Sequence, residues 1–182
     1  ALEGDGFFQI RTESGELQYT RDGSFEISPV ANGNMLCTSD GNPVLDAYGN
    51  QIILPSNRVA TDLVVNQDGT LAFPDGTGNP AVITDANGRP VKFGIYQFNN
   101  PAGLSKEGSN NYSVTVASGA AVAENGNAAV KQTKTHQYYT EASNVDVANE
   151  MVNLIVAQRA YEMNSKAIQA SDEMMQQANA LR

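Results

Sequence analysis

Apolar residues change their spacing once along this chain, close to Ser143. Before that point they fall in short runs that alternate with polar neighbours, a period of two that predicts half-buried β-strands. Phe7, Phe8 and Ile10 form the first run, and Leu17 and Tyr19 follow the turn Glu13-Ser14-Gly15-Glu16. Asp22-Gly23 reads as a two-residue hairpin turn, because both positions tolerate positive φ. Phe25 and Ile27 then lead into Pro29, which should stop the strand since it lacks a ladder donor. Asn32-Gly33, Asp40-Gly41, Tyr48-Gly49-Asn50 and Asp68-Gly69 punctuate the runs Met35-Leu36-Cys37, Val44-Leu45, Ile52-Ile53-Leu54, Leu63-Val64-Val65 and Leu71 to Phe73. Phe73-Pro74-Asp75-Gly76 is a further turn cluster, and Asn87-Gly88-Arg89-Pro90 separates Ala81-Val82-Ile83 from the run Val91 to Phe98. Tyr112, Val114 and Val116 alternate as one more strand, while residues 117–130, rich in Ala, Gly and Asn, read as a mobile loop. Turn signals at this density predict an all-β domain of many short strands.

From Ser143 to the last residue there is neither proline nor glycine. Ser143 followed by Asp146 is close to a capping box, and Asp146 and Glu150 complement the positive end of a helix dipole. Val147, Leu154, Tyr161, Ile168 and Met175 recur every seven residues; one step back, Ala160, Ala167, Met174 and Leu181 do the same. The repeat predicts a helix from about Asn144 to Leu181 that packs on a partner helix. At about 1.5 Å per residue it would span roughly 50 Å. No other stretch of the chain shows such a pattern. The expected architecture is a mainly β protein: a β-rich domain over 1–136, then a helical segment over 137–182.

Composition narrows the function. The 182 residues carry a net charge of −9 and no basic cluster, which argues against nucleic-acid binding. No apolar run approaches the ~20 residues of a membrane span. No cleavable signal peptide is visible, and Ala1-Leu2-Glu3 runs straight into a strand pattern without an initiator Met. The expectation is a piece of a longer protein.

Catalytic and metal candidates are thin. Cys37 lies in a strand-like run and reads as a small buried hydrophobe, and His136, the chain's single histidine, has no metal-binding companions. Asp40, Asp46 and Asn50, or Asp85, Asn87 and Gly88, lack the spacing and closing Glu of a calcium loop and read as turns. Gly4-Asp5-Gly6 precedes strand residues instead of a helix, so it is no nucleotide loop; its glycines permit a bend. Asn111-Tyr112-Ser113 fits a glycosylation sequon. No cofactor, metal, small-molecule substrate or enzymatic activity is expected. The methionines Met151, Met163, Met174 and Met175 read as adaptable packing residues, and Arg159 with Glu162 as either a solvated pair or an intersubunit contact.

Several separated motifs resemble the bacterial flagellar rod and hook proteins, most of all their distal-rod branch. They are Gly4-Asp5-Gly6-Phe7-Phe8, Tyr19-Thr20-Arg21-Asp22-Gly23-Ser24-Phe25, Gly41-Asn42-Pro43-Val44-Leu45, Ser143-Asn144-Val145 and Gln158-Arg159-Ala160-Tyr161. The resemblance implies a structural subunit of the basal-body rod, exported by the flagellar type III apparatus. Such a subunit polymerises with itself and with neighbouring rod and hook proteins into a torque-transmitting shaft. It implies an outer β wall and an inner tube of paired N- and C-terminal helices, with about the first third of the protein absent here. Val147, Leu154, Ala160, Tyr161, Ala167, Ile168, Met174, Met175 and Leu181 are the expected interface. The competing readings are a proximal rod or hook relative, and a carbohydrate-binding or adhesin module with a groove around Tyr48, Tyr96 and Tyr112.

Overall fold

A computed structural model describes residues 1–56, 58, 60–75 and 80–180. The chain forms two compact units, Ala1–Glu141 and a second beginning at Ala142. The first unit is built from short antiparallel strands: β1 (Leu2–Glu3), β2 (Phe7–Arg11), β3 (Leu17–Thr20), β4 (Glu26–Val30), β5 (Gly33–Cys37), β6 (Ile53–Leu54) and β7 (Val64–Val65). There follow β8 (Leu71–Pro74), β9 (Pro80–Val82), β10 (Ile95–Gln97), β11 (Ser105–Gly108), β12 (Asn111–Ser113), β13 (Val122–Ala123) and β14 (Lys134–Thr135). A six-stranded sheet has the order β11-β12-β3-β2-β10-β13, flanked by sheets β4-β5-β6 and β7-β8-β9 and the pair β1-β14. The second unit holds one helix, α1 (Val147–Ala180). The mainly β fold with a single long C-terminal helix is the architecture that the change of period predicts.

Adjacent side chains on β2 build two separate cores, because neighbouring residues of a strand face opposite ways. Phe8 enters the larger one with Ile10, Leu36, Val44, Ile52, Leu71 and Phe93. It meets Phe25 and Phe93 edge-on, at ring separations of 5.0 and 5.1 Å. Phe7 enters the smaller core with Tyr19, Phe98 and Leu104, and packs edge-on against Phe98 and Tyr112. Pairing keeps the two sets apart: Phe8 stands opposite Ile95, and Phe7 opposite Tyr96. Cys37 is buried, and burial raises its thiol pKa.

One turn recurs at Thr12–Glu16, Thr38–Asn42, Asp46–Asn50, Asn66–Thr70 and Asp85–Arg89. Each time the first residue's amide reaches the fifth residue's carbonyl, and the amide of the glycine in fourth place returns to the first residue's carbonyl, at 2.8–3.0 Å. Those glycines have φ between 74° and 87°, where a Cβ is penalised. In two copies the leading Asp also accepts two amides of its own turn: Asp46 from Tyr48 and Asn50, Asp85 from Asn87 and Arg89. This spends those carboxylates on the backbone, in keeping with the turn reading over the calcium one.

Five local expectations are corrected. Asp22-Gly23 is not a hairpin: β3 pairs with β2 and β12, β4 pairs with β5, and the dipeptide carries the chain between two sheets. Asp22 takes the Ser24 amide instead, in an Asx turn. Pro29 does not end its strand; it stands opposite Asn34 within β4, an edge strand whose outer side needs no donor. The strand read through Val116 ends at Ser113, because the Thr115 and Ser118 hydroxyls take over the backbone groups there. Residues 117–130 include β13, paired with β10, and the fully buried Ser118. Phe73 and Pro74 belong to β8, while Gly76 lies outside the described residues.

Candidate assembly interface

The helix α1 runs for 34 residues, as the absence of proline and glycine allows. Its cap is Asp146, whose Oδ1 accepts the Ala148 amide at 2.9 Å and whose Oδ2 accepts the Asn149 side-chain amide. Ser143 caps nothing helical; its hydroxyl takes the Val145 amide. The start therefore moves from Asn144 to Val147, since an aspartate two residues before the first free amide outcompetes a serine further off.

No side chain of α1 is buried. A helix turns about 100° per residue, which puts Val147, Met151, Leu154, Tyr161 and Ile168 on one side, with Met175 at its trailing edge. Val152, Val156, Ala160, Met163, Ala167 and Met174 fall on the opposite side. The two heptad rows thus sit on different sides of the helix. Arg159, Glu162, Lys166 and Glu173 occupy one flank between them. Leu154 and Val156 are 58% and 61% exposed, and Tyr161 78%. Leu181 lies outside the described residues. Among the described residues no ion pair joins Arg159 to Glu162. A soluble helix normally hides one apolar stripe; α1 leaves apolar side chains exposed on two sides.

Within the β unit, its first and last segments meet in one seam. Leu2 pairs with Thr135 and Glu3 with Lys134, and the Glu3 carboxylate lies 2.7 Å from His136 Nε2. That hydrogen bond is the first cause of the lowered Glu3 pKa. Arg21 closes the seam from above. Its guanidinium donates to the carbonyls of Gly4 and Gly6, both at 3.0 Å, grips Glu141 with two nitrogens, and lies over the Phe7 ring. Gly4 is needed for its φ of 135°. Gly6 is needed for space, since a Cβ there would lie 2.5 Å from Ile95 Cγ2. Thus Gly4, Gly6, Phe7 and Arg21 serve one corner of the fold, whereas Phe25 packs on Phe8 and Phe93 in the larger core.

The motifs carry over to known proteins. A family profile described as the flagellar hook protein FlgE/F/G D1 domain matches residues 1–73, and one described as the flagellar basal body rod FlgEFG protein C-terminal matches 136–181. A flagellar basal-body rod protein FlgG of Borreliella burgdorferi is 40% identical over 186 residues, covering 100% of this chain. The chain belongs to the flagellar rod and hook family. Other relatives are the Buchnera aphidicola rod protein FlgG, 37% identical over 100% of the chain, and the Bacillus subtilis one, 37% identical over 97%. A Bacillus subtilis hook-basal body complex protein, FlhP, is 37% identical over 93%. The chain spans 63%, 64%, 62% and 59% of the lengths of these four relatives respectively.

Within this family member, the groove expected of a carbohydrate-binding module is not assembled. Tyr48 is stacked 3.8 Å beneath the Arg89 guanidinium, Tyr96 packs on Tyr19, and Tyr112 on Phe7. Tyr96 and Tyr112 both pack against the smaller core, while Tyr48 is taken up by Arg89. Asn111 of the sequon is buried. Sequence reasoning missed Glu141 as the anchor of Arg21, and the second apolar side of α1. The first had no local signal. The second was legible in the spacing of Val152, Val156 and Met163, once the row of Ala160 and Ala167 was set on a helical wheel.

Proposed function

We propose that the chain is the β wall and axial helix of a distal-rod subunit, a structural protein of the basal body whose work lies in assembly and not in catalysis. Copies pack around the rod axis, joined to neighbouring rod and hook proteins, and export by the flagellar type III apparatus brings them there. The observation that carries this reading is α1: 34 residues, none buried, with apolar side chains on two opposite sides. A helix inside a tube wall has a neighbour on each side. Burial at ~25 cal/mol per Å² on both would hold it, whereas a lone helix in water is marginal. Val147, Leu154, Tyr161, Ile168 and Met175 face one neighbour, and Ala160, Ala167 and Met174 the other. The small residues allow close approach. The test is electron microscopy of the native-length subunit at high concentration. Ordered rods or tubes are expected; a monomer whose C-terminal helix folds onto its own β unit overturns the reading.

A further inference from the structure

Glu124 is 3% exposed, yet none of the ion pairs among the described residues includes it. It stands directly after β13, where its amide donates to the Ile95 carbonyl. Its Oε2 accepts the Thr133 amide at 2.8 Å; its Oε1 accepts the Thr133 hydroxyl at 2.6 Å and the Gln97 side-chain amide at 2.7 Å. Gln132 Nε2 adds a bond to the Glu124 carbonyl, so the loop from 124 to 133 is folded back onto β10. Thr133 immediately precedes β14, the strand that pairs with β1. The glycine corner is built against this arrangement: a Cβ on Gly6 would lie 2.6 Å from the Thr133 hydroxyl and 2.9 Å from Glu124 Oε1.

We propose that Glu124 is a positioning residue, a carboxylate clasp that holds β14 against β1 and so fixes the path of residues 136–141, the last of the β unit. It serves only as an all-acceptor group. Three donors converge on its two oxygens, and a carboxylate meets them all. An amide of the same shape has one oxygen and brings two N–H groups. Turned either way, it sets a donor against the Thr133 amide or against Gln97. The proposal concerns the β unit by itself and stands whether or not the chain assembles.

Hydrogen exchange on the full chain, read amide by amide, tests it. Glu124→Gln should speed exchange at Thr133, Thr135 and His136 about tenfold or more, while the amides of Gln9 and Leu45, bonded inside the main core, keep the parent's rates. Thr133→Val, which removes one donor and keeps the charge, should act at the same amides more weakly. A space-filling role would leave Glu124→Gln at the parent's rates, and that result overturns the clasp. If Glu124→Gln loses protection everywhere, Thr133→Val decides: loss confined to 133–136 supports the clasp, and uniform or absent loss overturns it.

Discussion

Arg21 holds Glu141 in a two-pronged grip, Nε at 3.1 Å from one carboxylate oxygen and Nη2 at 3.3 Å from the other. Residues 120 positions apart are thereby joined at the last residue of the β unit. The two partners do not count equally. Glu141 is half exposed, where an ion pair contributes at most about 1 kcal/mol. Arg21 is better shielded and also serves the Gly4 and Gly6 carbonyls and the Phe7 ring. Arg21→Ala should therefore cost about 1–3 kcal/mol in urea denaturation, and Glu141→Gln less than about 1 kcal/mol. Equal costs would show that the ion pair, and not the glycine corner, is what Arg21 supports.

The glycine corner predicts a contrast between two alanine substitutions. At Gly6 a Cβ meets Ile95, Thr133 and Glu124 within 2.9 Å, so Gly6→Ala should destabilise by about 1–3 kcal/mol or more through overpacking. At Gly15 nothing lies within 4 Å, and only the φ of 87° opposes a side chain. Gly15→Ala should cost about 1–2 kcal/mol. Thermal unfolding of both variants checks the order.

Acid sensitivity should trace in part to a turn. The Asp22 carboxyl is held below its ordinary value, chiefly by the Ser24 amide and then the Ser24 side chain, with Asn110 assisting. A folded pKa below the unfolded value of about 3.9 means that the folded state binds fewer protons. The stabilisation is complete above about pH 5 and is lost as pH falls through the lower, folded value. Asp68 acts in the same sense: burial opposes its ionisation, but the Thr70 hydroxyl and amide outweigh that and lower its pKa. Urea titrations from pH 7 to pH 2 should show flat stability, then a decline below about pH 4. Asp22→Asn should decline less steeply over that acid limb.

On the helix, Leu154→Asp and Val156→Asp test the two sides separately. Both side chains are exposed, so neither variant should move the unfolding of the β unit by more than about 0.5 kcal/mol. Each should abolish ordered assembly, as scored by sedimentation. Loss through Leu154 alone would leave a one-sided helix.

The strand content, the packing role of Phe7 and Phe8, and the single long helix were all legible from spacing. Alternation and a heptad repeat are local signals, and the secondary structure follows them. Long-range choices were not legible. Asp22-Gly23 has the composition of a hairpin, but Tyr19 finds its second partner in Tyr112, about ninety residues on, and the chain must cross to another sheet. Pro29 is tolerated because β4 is an edge, which depends on sheet order and not on the residue. The Ala- and Asn-rich stretch at 117–130 has no strand signal because a two-residue strand has no period, and because the Glu124 carboxylate is met by Gln97 and Thr133 from outside the stretch. The repeated turn had a visible cue that went unused: Thr, Asp or Asn three residues before glycine at positions 12, 38, 46, 66 and 85.

The most direct measurement labels the helix itself. Cys37 is the only cysteine of these 182 residues and is buried, so Leu154→Cys and Val156→Cys each add one exposed thiol for a spin label. Accessibility of the two labels to a water-soluble relaxation agent would be compared before and after assembly of the native-length subunit. The account predicts that both labels are accessible in the monomer and both become shielded in the polymer. A polymer in which either label keeps its monomer accessibility would contradict the claim that α1 packs between two neighbours.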